Sequence, residues 1–192
     1  MRTWTEQRGG SVTDEELWGQ VRAGDDEAFG LLFERHAQAV FAYCLRRTGG
    51  WAVAEDLMSV VFLETWRKRR SVTVDGSLLP WLYGVALGVT RNHHRSRTRY
   101  QAALGKVPRP DAQDDHADDV ARRVDAETRT RAVIAELEKL PARDREVLEM
   151  AAWSDLTQAQ IAQVLGIPVG TVKSRLSRAQ RTVRGALVEE AL

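Results

Sequence analysis

Apolar residues recur at every third or fourth position along most of this 192-residue chain, which is the spacing of one face of an α-helix. No segment alternates apolar and polar residues in the way that a half-buried β-strand does. The clearest helical stretch lies between Asp25 and Gly49, and its apolar positions are Phe29, Phe33, Ala37, Val40, Phe41 and Cys44. The pattern therefore predicts an all-α protein.

Capping residues indicate where the first helices begin and end. Thr13 and Glu16 have the spacing of a capping box at the start of a first helix. Asp25 or Asp26 can cap the second helix. Gly49 then ends that helix, because glycine tolerates the left-handed backbone conformation that follows many helices.

Two more helices are predicted before residue 100. A third helix over about residues 52–69 has the inward positions Leu57, Val60, Val61 and Trp66. A loop with the sequence SVTVDGSLL follows it, and Pro80 then suits the first turn of a fourth helix, where its missing N–H costs nothing. The apolar positions of this fourth helix are Trp81, Leu82, Val85, Leu87 and Val89.

The helical pattern fades after Tyr100 and resumes near Val124. The stretch VPRPDAQDDHADD between them has two prolines, five aspartates and few residues to bury, which is typical of a flexible linker. The sequence therefore predicts two small helical domains joined by an acidic linker, the second domain having four helices. The predicted ranges are a disordered N-terminus over 1–12, a first domain over 13–100, the linker over 101–122 and a second domain over 123–192.

The stretch DLTQAQIAQVLGIPVGTVKSRLSRAQ, residues 155–180, has the pattern of a helix-turn-helix. Thr157 and Gln160 fit a capping box, Gly166 allows a tight turn, and Pro168 starts the next helix. The apolar residues that this next helix turns inward are Val172 and Leu176. Its outer face has basic residues and no acid, which favours insertion into the DNA major groove over a solvated amphipathic hairpin.

Charge is distributed unevenly, although 28 Lys and Arg residues nearly balance 27 Asp and Glu residues. Residues 67–70 form a basic block, and residues 76–110 contain six basic residues and no acid. Residues 111–119 then contain five aspartates, and residues 156–188 again contain no acid. The net charge of +1 conceals this order of basic, acidic and basic segments, which favours a nucleic-acid partner.

Residue types and spacings disfavour catalysis, metal binding and membrane contact. The single cysteine, Cys44, cannot form an internal disulfide or a thiolate-rich zinc site. His93 and His94 are adjacent, so on a helix they point ~100° apart, and no glycine-rich phosphate loop or HExxH pattern occurs. We therefore expect no enzyme activity, no cofactor and no metal. The longest nearly apolar run, 78–89, falls short of the ~18–20 residues of a membrane helix, and the N-terminus lacks the apolar region of a secretory signal.

Five segments together resemble the sigma factors of bacterial RNA polymerase, in the short two-domain extracytoplasmic-function (ECF) group. In chain order they are GDDEAFGLLFERHAQAVFAYCLRRTG, AEDLMSVVFLETW, PWLYGVALGVTRNHHR, LEKLPARDREVL and the helix-turn-helix stretch. The resemblance covers about residues 14–100 and 125–187. It implies a factor that binds core polymerase, directs it to promoters by reading the −10 and −35 elements, and helps to melt the DNA.

The AEDLMSVVFLETW segment is the one that, by this resemblance, grips the polymerase clamp. The β and β′ subunits of core RNA polymerase are therefore expected partners. The residues expected at the contact are Asp56, Leu57, Ser59, Val60 and Leu63. Many relatives have Gln-Glu where Ser59-Val60 stand here, so apolar contact would replace some polar contacts.

The loop before PWLYG and the helix after it are the segments that the resemblance places against the −10 element. In ECF factors this loop captures a flipped non-template base, which implies residues 71–77 here. The residues expected to contact −10 DNA are Arg70, Asp75, Arg91, Asn92, His94 and Arg95. Tyr83 is either a base-stacking or a core residue, Trp81 is expected in the core, and Gly88 stands where many relatives have Asn.

The TVKSRLSRA segment matches the recognition helix of the family, which reads the −35 element. The residues expected at base edges are Lys173, Ser174, Ser177 and Arg178, and those expected at phosphates are Thr171, Arg175 and Arg181. Arginine can bind guanine through two hydrogen bonds, and each such pair contributes ~1–3 kcal/mol of discrimination.

The resemblance also implies further partners and a location. In this family the linker threads into polymerase near its active centre, where the aspartates either imitate a phosphate chain or form a solvated tether. Family habit alone suggests an anti-sigma factor, and the protein is expected in the bacterial cytoplasm. Two alternatives stay open: a helix-turn-helix regulator that binds DNA without joining polymerase, and a sigma-like protein that serves only as a binding partner.

Overall fold

The computed structural model describes residues 12–104 and 140–189. Within these ranges the chain forms seven α-helices and no β-strand, which confirms the all-α prediction. In chain order the helices are α1 (Asp14–Ala23), α2 (Asp26–Thr48), α3 (Trp51–Arg67), α4 (Leu79–Leu104), α5 (Ala142–Trp153), α6 (Gln158–Leu165) and α7 (Val169–Glu189). The chain divides between Thr98 and Arg99 into two compact units.

The caps of α1 and α2 lie where the sequence predicted them. The Thr13 N–H donates to Glu16 Oε2 at 2.9 Å, and the Glu16 N–H donates to Thr13 Oγ1 at 3.2 Å, which completes the capping box. Asp25 rather than Asp26 caps α2, since its carboxylate accepts a backbone N–H of the first turn at 3.1 Å. Gly49 follows α2 with a φ of 71°, the left-handed conformation expected there.

α2 packs against both α1 and α3, and its buried face is only partly the predicted one. Val40 and Cys44 are buried as predicted, but Phe33 is 37% exposed. Helical spacing alone does not bury Phe33, because α2 has two neighbours and its apolar residues point in more than one direction. The buried residues of α2 are Ala28, Leu32, His36, Val40, Tyr43 and Cys44.

α3 ends at Arg67, slightly before the predicted boundary at residue 69. Val61 is buried as predicted, but the inward placement of Val60 was wrong, since Val60 is 39% exposed. Val60 lies instead on the face of α3 that also carries the exposed residues Ser59 and Leu63. The other buried residues of α3 are Ala54, Phe62 and Thr65.

α4 carries Pro80 in its first turn, as predicted, and continues to Leu104, beyond the predicted start of the linker at residue 101. Tyr83 is 2% exposed, which makes it a core residue rather than a base-stacking one. Its ring packs edge-on against that of Tyr43, with centroids 5.2 Å apart. Trp81 is half-buried, and the other buried residues of α4 are Leu82, Ala86, Leu87 and Thr90.

Beyond the end of α4, the described part of the second unit consists of α5, α6 and α7. α6 and α7 form the predicted helix-turn-helix, and Gly166 between them has a φ of 63°, as a left-handed turn requires. Thr157 and Gln160 form the predicted capping box of α6. The core is apolar, and its buried residues are Leu140, Val147, Met150, Ile161, Ala162, Val172 and Ala179.

Several predictions fall on parts of the chain outside the described residues. They are the disorder of residues 1–11, nearly all of the linker with its aspartates, and the first of the four helices predicted for the second domain. The predicted domain boundaries therefore stay predictions.

Candidate functional surfaces

Four of the five residues expected at a protein contact lie on one exposed face of α3. Asp56, Ser59, Val60 and Leu63 have the spacing of a single helical face, and together they are named the α3 surface here. Val60 is 39% exposed and Leu63 is 47% exposed, while Leu57 is half-buried at the edge of this face. Neighbouring apolar side chains in solvent, flanked by polar ones, are typical of a surface that another protein covers.

Phe33 of α2 is a further exposed apolar residue, in contact with α3. Its ring packs edge-on against that of Phe62 in α3, with centroids 4.7 Å apart, and the side chain is still 37% exposed. The sequence pattern missed this residue because an apolar residue at helical spacing is indistinguishable from a core residue.

The loop between α3 and α4 is held by α1 at both of its ends. Near its start, the Trp18 indole Nε1–H donates to the Val72 carbonyl oxygen at 3.0 Å. Near its end, the Leu78 N–H donates to Asp14 Oδ2 at 2.8 Å. Asp75 lies between these two bonds and is exposed. The loop therefore has fixed ends and a tip that is open to a ligand.

Asp14 is the buried anchor of this arrangement, at 6% exposure. Its Oδ1 accepts a hydrogen bond from Arg35 Nη1 at 2.6 Å, and its Oδ2 lies 2.6 Å from His36 Nε2. The Ser77 hydroxyl also donates to Oδ2, at 3.2 Å. Burial raises the pKa of Asp14, but the Leu78 N–H, Arg35 and His36 more than offset burial, so the pKa is lowered overall. Sequence reasoning missed this role because an acid in a first helical turn is already favourable there.

Most residues expected at the −10 element are accessible on the first unit. The exposed ones are Arg70, Asp75, Asn92, His94 and Arg95. Arg91 is half-buried. His94 also has a contact within the chain. Its Nε2 lies 2.8 Å from the Arg47 carbonyl oxygen, which joins α4 to the end of α2.

The basic block over 67–70 is partly occupied by contacts within the chain. Arg67 Nη1 lies 2.9 Å from Glu64 Oε1. The Arg69 guanidinium lies over the Trp66 ring at 4.0 Å from its centroid, which is a cation–π geometry. Arg70, beyond the end of α3, is exposed. Within this block, Arg70 is therefore a better placed candidate for DNA contact than Arg67 or Arg69.

Most of the predicted DNA-contacting residues of α7 are exposed, outside its core face. Val172 and Ala179 are buried, and Leu176 is half-buried. The exposed candidates are Lys173, Ser174, Ser177, Arg178 and Arg181, and the half-buried ones are Thr171 and Arg175.

Two of these arginines meet a buried acid of α5. Asp144 is 7% exposed, and its carboxylate accepts hydrogen bonds from Arg178 Nε at 3.2 Å and from Arg178 Nη2 at 3.3 Å. Arg175 Nε lies 3.9 Å from Asp144 Oδ1. Sequence reasoning missed Asp144, because it lies 34 positions before Arg178 and no local pattern connects the two.

Other chemistry has little support among the described residues. No group of three or more His, Cys, Asp and Glu side chains there could hold a metal ion. Cys44 is buried, and burial raises the pKa of its thiol to about 11, so the thiol is uncharged at neutral pH. Within the same ranges, no helix combines the length and apolar character that crossing a bilayer requires.

Comparison with known proteins gives matches over most of the chain. The family profile described as Sigma-70 region 2 matches residues 32–100, and the profile described as Sigma-70, region 4 matches residues 130–183. The RNA polymerase sigma factor HrpL of Pseudomonas syringae pv. syringae is 32% identical over 150 residues, which cover 74% of this chain and 78% of HrpL. The ECF RNA polymerase sigma factor SigL of Mycobacterium tuberculosis is 32% identical over 163 residues, which cover 82% of this chain and 88% of SigL.

A solved structure has the same fold. It is the sigma factor RpoE from Bartonella quintana, in complex with the anti-sigma factor NepR, and it superimposes with a TM-score of 0.62. The match covers 84% of this chain and 97% of that chain at 22% sequence identity, so it is informative about the fold alone.

Proposed function

This chain belongs to the sigma-70 family of RNA polymerase sigma factors, within the ECF group. We propose that three of its surfaces bind core polymerase, the −10 element and the −35 element. The protein directs core RNA polymerase to promoters and so initiates promoter-specific transcription. The three surfaces are the α3 surface, the loop over 71–78 with α4, and the outer face of α7.

The α3 surface binds core RNA polymerase. The observation that carries this assignment is the exposure of Val60 and Leu63 beside Asp56 and Ser59 on one face. Protein interfaces combine an apolar centre with a polar rim, and these four residues supply both. Val60 contributes apolar contact to this binding.

The loop over 71–78 receives a flipped base of the melted −10 element. Flipping costs a few kcal/mol, and a loop whose ends are already fixed loses less conformational freedom on binding. Arg70, Asp75, Arg91, Asn92 and Arg95 lie along this region and contact the strand. His94 belongs to the same set of contacts, and its Nε2 also lies 2.8 Å from the Arg47 carbonyl oxygen.

The outer face of α7 reads the −35 element from the major groove. Lys173, Ser174, Ser177 and Arg178 contact base edges, which they can do through the donor and acceptor pattern of the groove. Thr171, Arg175 and Arg181 contact phosphates, which position the helix. Arg175 makes this contact with only 17% of its side chain exposed, so a shift of its guanidinium away from Asp144 accompanies binding.

The protein has no catalytic step of its own and needs no cofactor. Sigma factors are initiation factors, and the polymerase that they bind carries out the chemistry. Because both the polymerase and the promoter are in the bacterial cytoplasm, this protein acts there without membrane contact.

An anti-sigma factor is the proposed regulator. The Bartonella quintana RpoE was solved with such a partner, NepR. A partner that covers the α3 surface here would exclude core polymerase, because Val60 and Leu63 cannot serve two interfaces at once. Pull-down of the tagged chain from its own cells tests this, and recovery of polymerase subunits alone would count against it.

The primary test combines the purified chain with bacterial core RNA polymerase and a pool of promoters of randomised sequence. Run-off transcripts that share paired −35 and −10 elements are the expected result. DNA binding without transcripts would favour an independent regulator, although the match of residues 32–100 to Sigma-70 region 2 argues against one. The absence of both transcripts and polymerase binding would leave only a role as a binding partner.

A further inference from the structure

Asp144 joins α5 to the arginines of the DNA-facing helix. At 7% exposure, its carboxylate needs partners, since an unpaired buried charge is strongly unfavourable. Arg178 provides a side-on pair of hydrogen bonds, from Nε at 3.2 Å and from Nη2 at 3.3 Å. Arg175 Nε, at 3.9 Å, adds a longer ion pair.

The guanidinium of Arg178 faces solvent on its other side. The Arg178 side chain is 59% exposed, whereas that of Arg175 is 17% exposed. Guanidinium carries five N–H donors in a rigid planar fork, and the side-on pair with Asp144 leaves the Nη1 end of that fork directed away from the carboxylate. Arg178 can therefore bind a second flat acceptor, such as the O6 and N7 edge of guanine, without leaving Asp144.

Two physical effects of Asp144 favour base contact over phosphate contact by Arg178. An arginine that is already oriented loses less side-chain freedom when it binds than a mobile one does. A move of Arg178 to the DNA backbone would also leave the buried carboxylate without its main partner, close to phosphates that repel it.

We propose that Asp144 is a positioning residue for −35 recognition, which orients Arg178 so that its guanidinium reads one base. This inference rests on the proposed function of α7 as the helix that reads the −35 element. A purely structural tie between α5 and α7 would change the stability of the second unit without changing which base is preferred.

The test measures −35 sequence preference with the full chain assembled on bacterial core RNA polymerase. Promoters randomised at the −35 element are transcribed with the wild type, Asp144→Asn, Arg178→Ala and the double variant. Asp144→Asn is expected to lower the preference for one base at one −35 position about tenfold, which is within the range of one bidentate base contact. Arg178→Ala loses the same preference, and the double variant is no worse than Arg178→Ala. The control is Glu149→Gln, which removes an acid of α5 that lies 4.0 Å from Arg145.

Several results would overturn the inference. One is an unchanged preference in Asp144→Asn where Arg178→Ala alters it, and another is an additive loss in the double variant. If Asp144→Asn unfolds the second unit, Asp144→Glu replaces it, because glutamate keeps the charge but moves the carboxylate by one methylene. That variant must lower the same preference. A wild type without any −35 preference would refute the function proposed for α7 as well, whereas a preference that Asp144→Asn retains refutes the inference alone.

Discussion

Asp14 and Asp144 are the two buried aspartates of the described residues, and each binds an arginine from another helix. A buried carboxylate is tolerated where its partners satisfy it, and removal of one partner leaves an uncompensated charge. The partners of Asp14 lie in α2 and in the loop before α4, so this charge gives rigidity to the first unit. Arg178, the main partner of Asp144, is 59% exposed on α7, so the same kind of pair is proposed to serve base readout in the second unit.

Asp14→Asn is expected to lower the free energy of unfolding of the full chain by about 2–3 kcal/mol at pH 7, because it weakens hydrogen bonds to a charged acceptor. Urea denaturation followed by circular dichroism measures the difference. Asp26→Asn is the control, since Asp26 is an exposed acid in the first turn of α2 and should change stability by under about 1 kcal/mol. Equal losses in both variants would contradict the anchoring role of Asp14.

The stability difference between the wild type and Asp14→Asn should also depend on pH. Because the pKa of Asp14 is lowered in the folded state, its contribution is complete above the unfolded-state pKa of about 3.9 and is lost as pH falls through the folded-state pKa. The groups that face this carboxylate are Arg35 and His36. Unfolding measured from pH 5 to pH 3 should show the difference in free energy of unfolding between the two proteins narrowing below a pH of about 4. A constant difference would refute the role of an ionised Asp14 in stability.

At the scale of whole helices, α1 and α3 have different roles in the first unit. α1 has ten residues, and so short a helix is marginally stable alone. It is held by the burial of Leu17, Trp18 and Val21. Its residues Trp18 and Asp14 bond to both ends of the loop over 71–78. α3 buries one face and leaves Val60 and Leu63 exposed on the other. α1 therefore fixes the loop that is proposed to bind −10 DNA, and α3 carries the surface that is proposed to bind polymerase.

Trp18→Phe is expected to reduce promoter melting several-fold while leaving polymerase binding unchanged. The change leaves the Val72 carbonyl without the indole donor that holds the start of the loop, at a cost of ~1–3 kcal/mol for a buried acceptor. Permanganate footprinting of open complexes measures the defect, and a template with a pre-melted −10 region should rescue it. Trp51→Phe is the matched control, because Trp51 is 64% exposed. Equal defects on duplex and pre-melted templates would contradict a role in melting.

Leu63→Ala is expected to weaken binding to core RNA polymerase about tenfold, which is a loss of about 1.4 kcal/mol at an interface centre. Competition for core polymerase against the wild-type chain measures the affinity. Leu31→Ala is the control, since Leu31 is a leucine of α2 with similar exposure, 52% against 47% for Leu63. It should stay within about twofold of the wild type, as most surface truncations do. Equal losses would place the contact elsewhere.

At the scale of the whole molecule, the net charge of +1 is the sum of oppositely charged segments. If each unit binds one promoter element, as proposed, the tether between the units raises the affinity, because the second contact becomes intramolecular. The phosphate contacts proposed for basic residues of α4 and α7 would release counterions, so the proposed function predicts that DNA binding depends on salt.

Arg181→Ala is expected to weaken promoter binding at every sequence alike and to reduce the slope of log affinity against log salt by about one. Arg181 is exposed on α7 and is assigned to a phosphate. Fluorescence anisotropy of the holoenzyme on promoter DNA, measured at several salt concentrations, gives the slope. Ser177→Ala should instead alter base preference and leave the slope unchanged. A change of slope in both variants would contradict the assignment of Arg181 to a phosphate contact.

Short-range features of the sequence were sufficient for much of the fold. The capping boxes of α1 and α6, the glycine turns at Gly49 and Gly166, and the position of Pro80 were all correct. Each depends on residues within about four positions of one another, so the neighbouring sequence contains the whole interaction. The inward placement of Val60 was wrong, because periodicity locates apolar positions without showing which of them a neighbouring helix will cover.

By itself, the sequence determined the helices, the helix-turn-helix and the basic outer face of α7, since these follow from local spacing and charge. The tertiary structure alone decided which buried charges and carbonyls meet. Asp14 reaches Leu78 across 64 positions, Trp18 reaches Val72 across 54, and Asp144 reaches Arg178 across 34. Such pairs leave no periodic trace, because a buried polar group needs a partner close in space and the chain can supply it from any position.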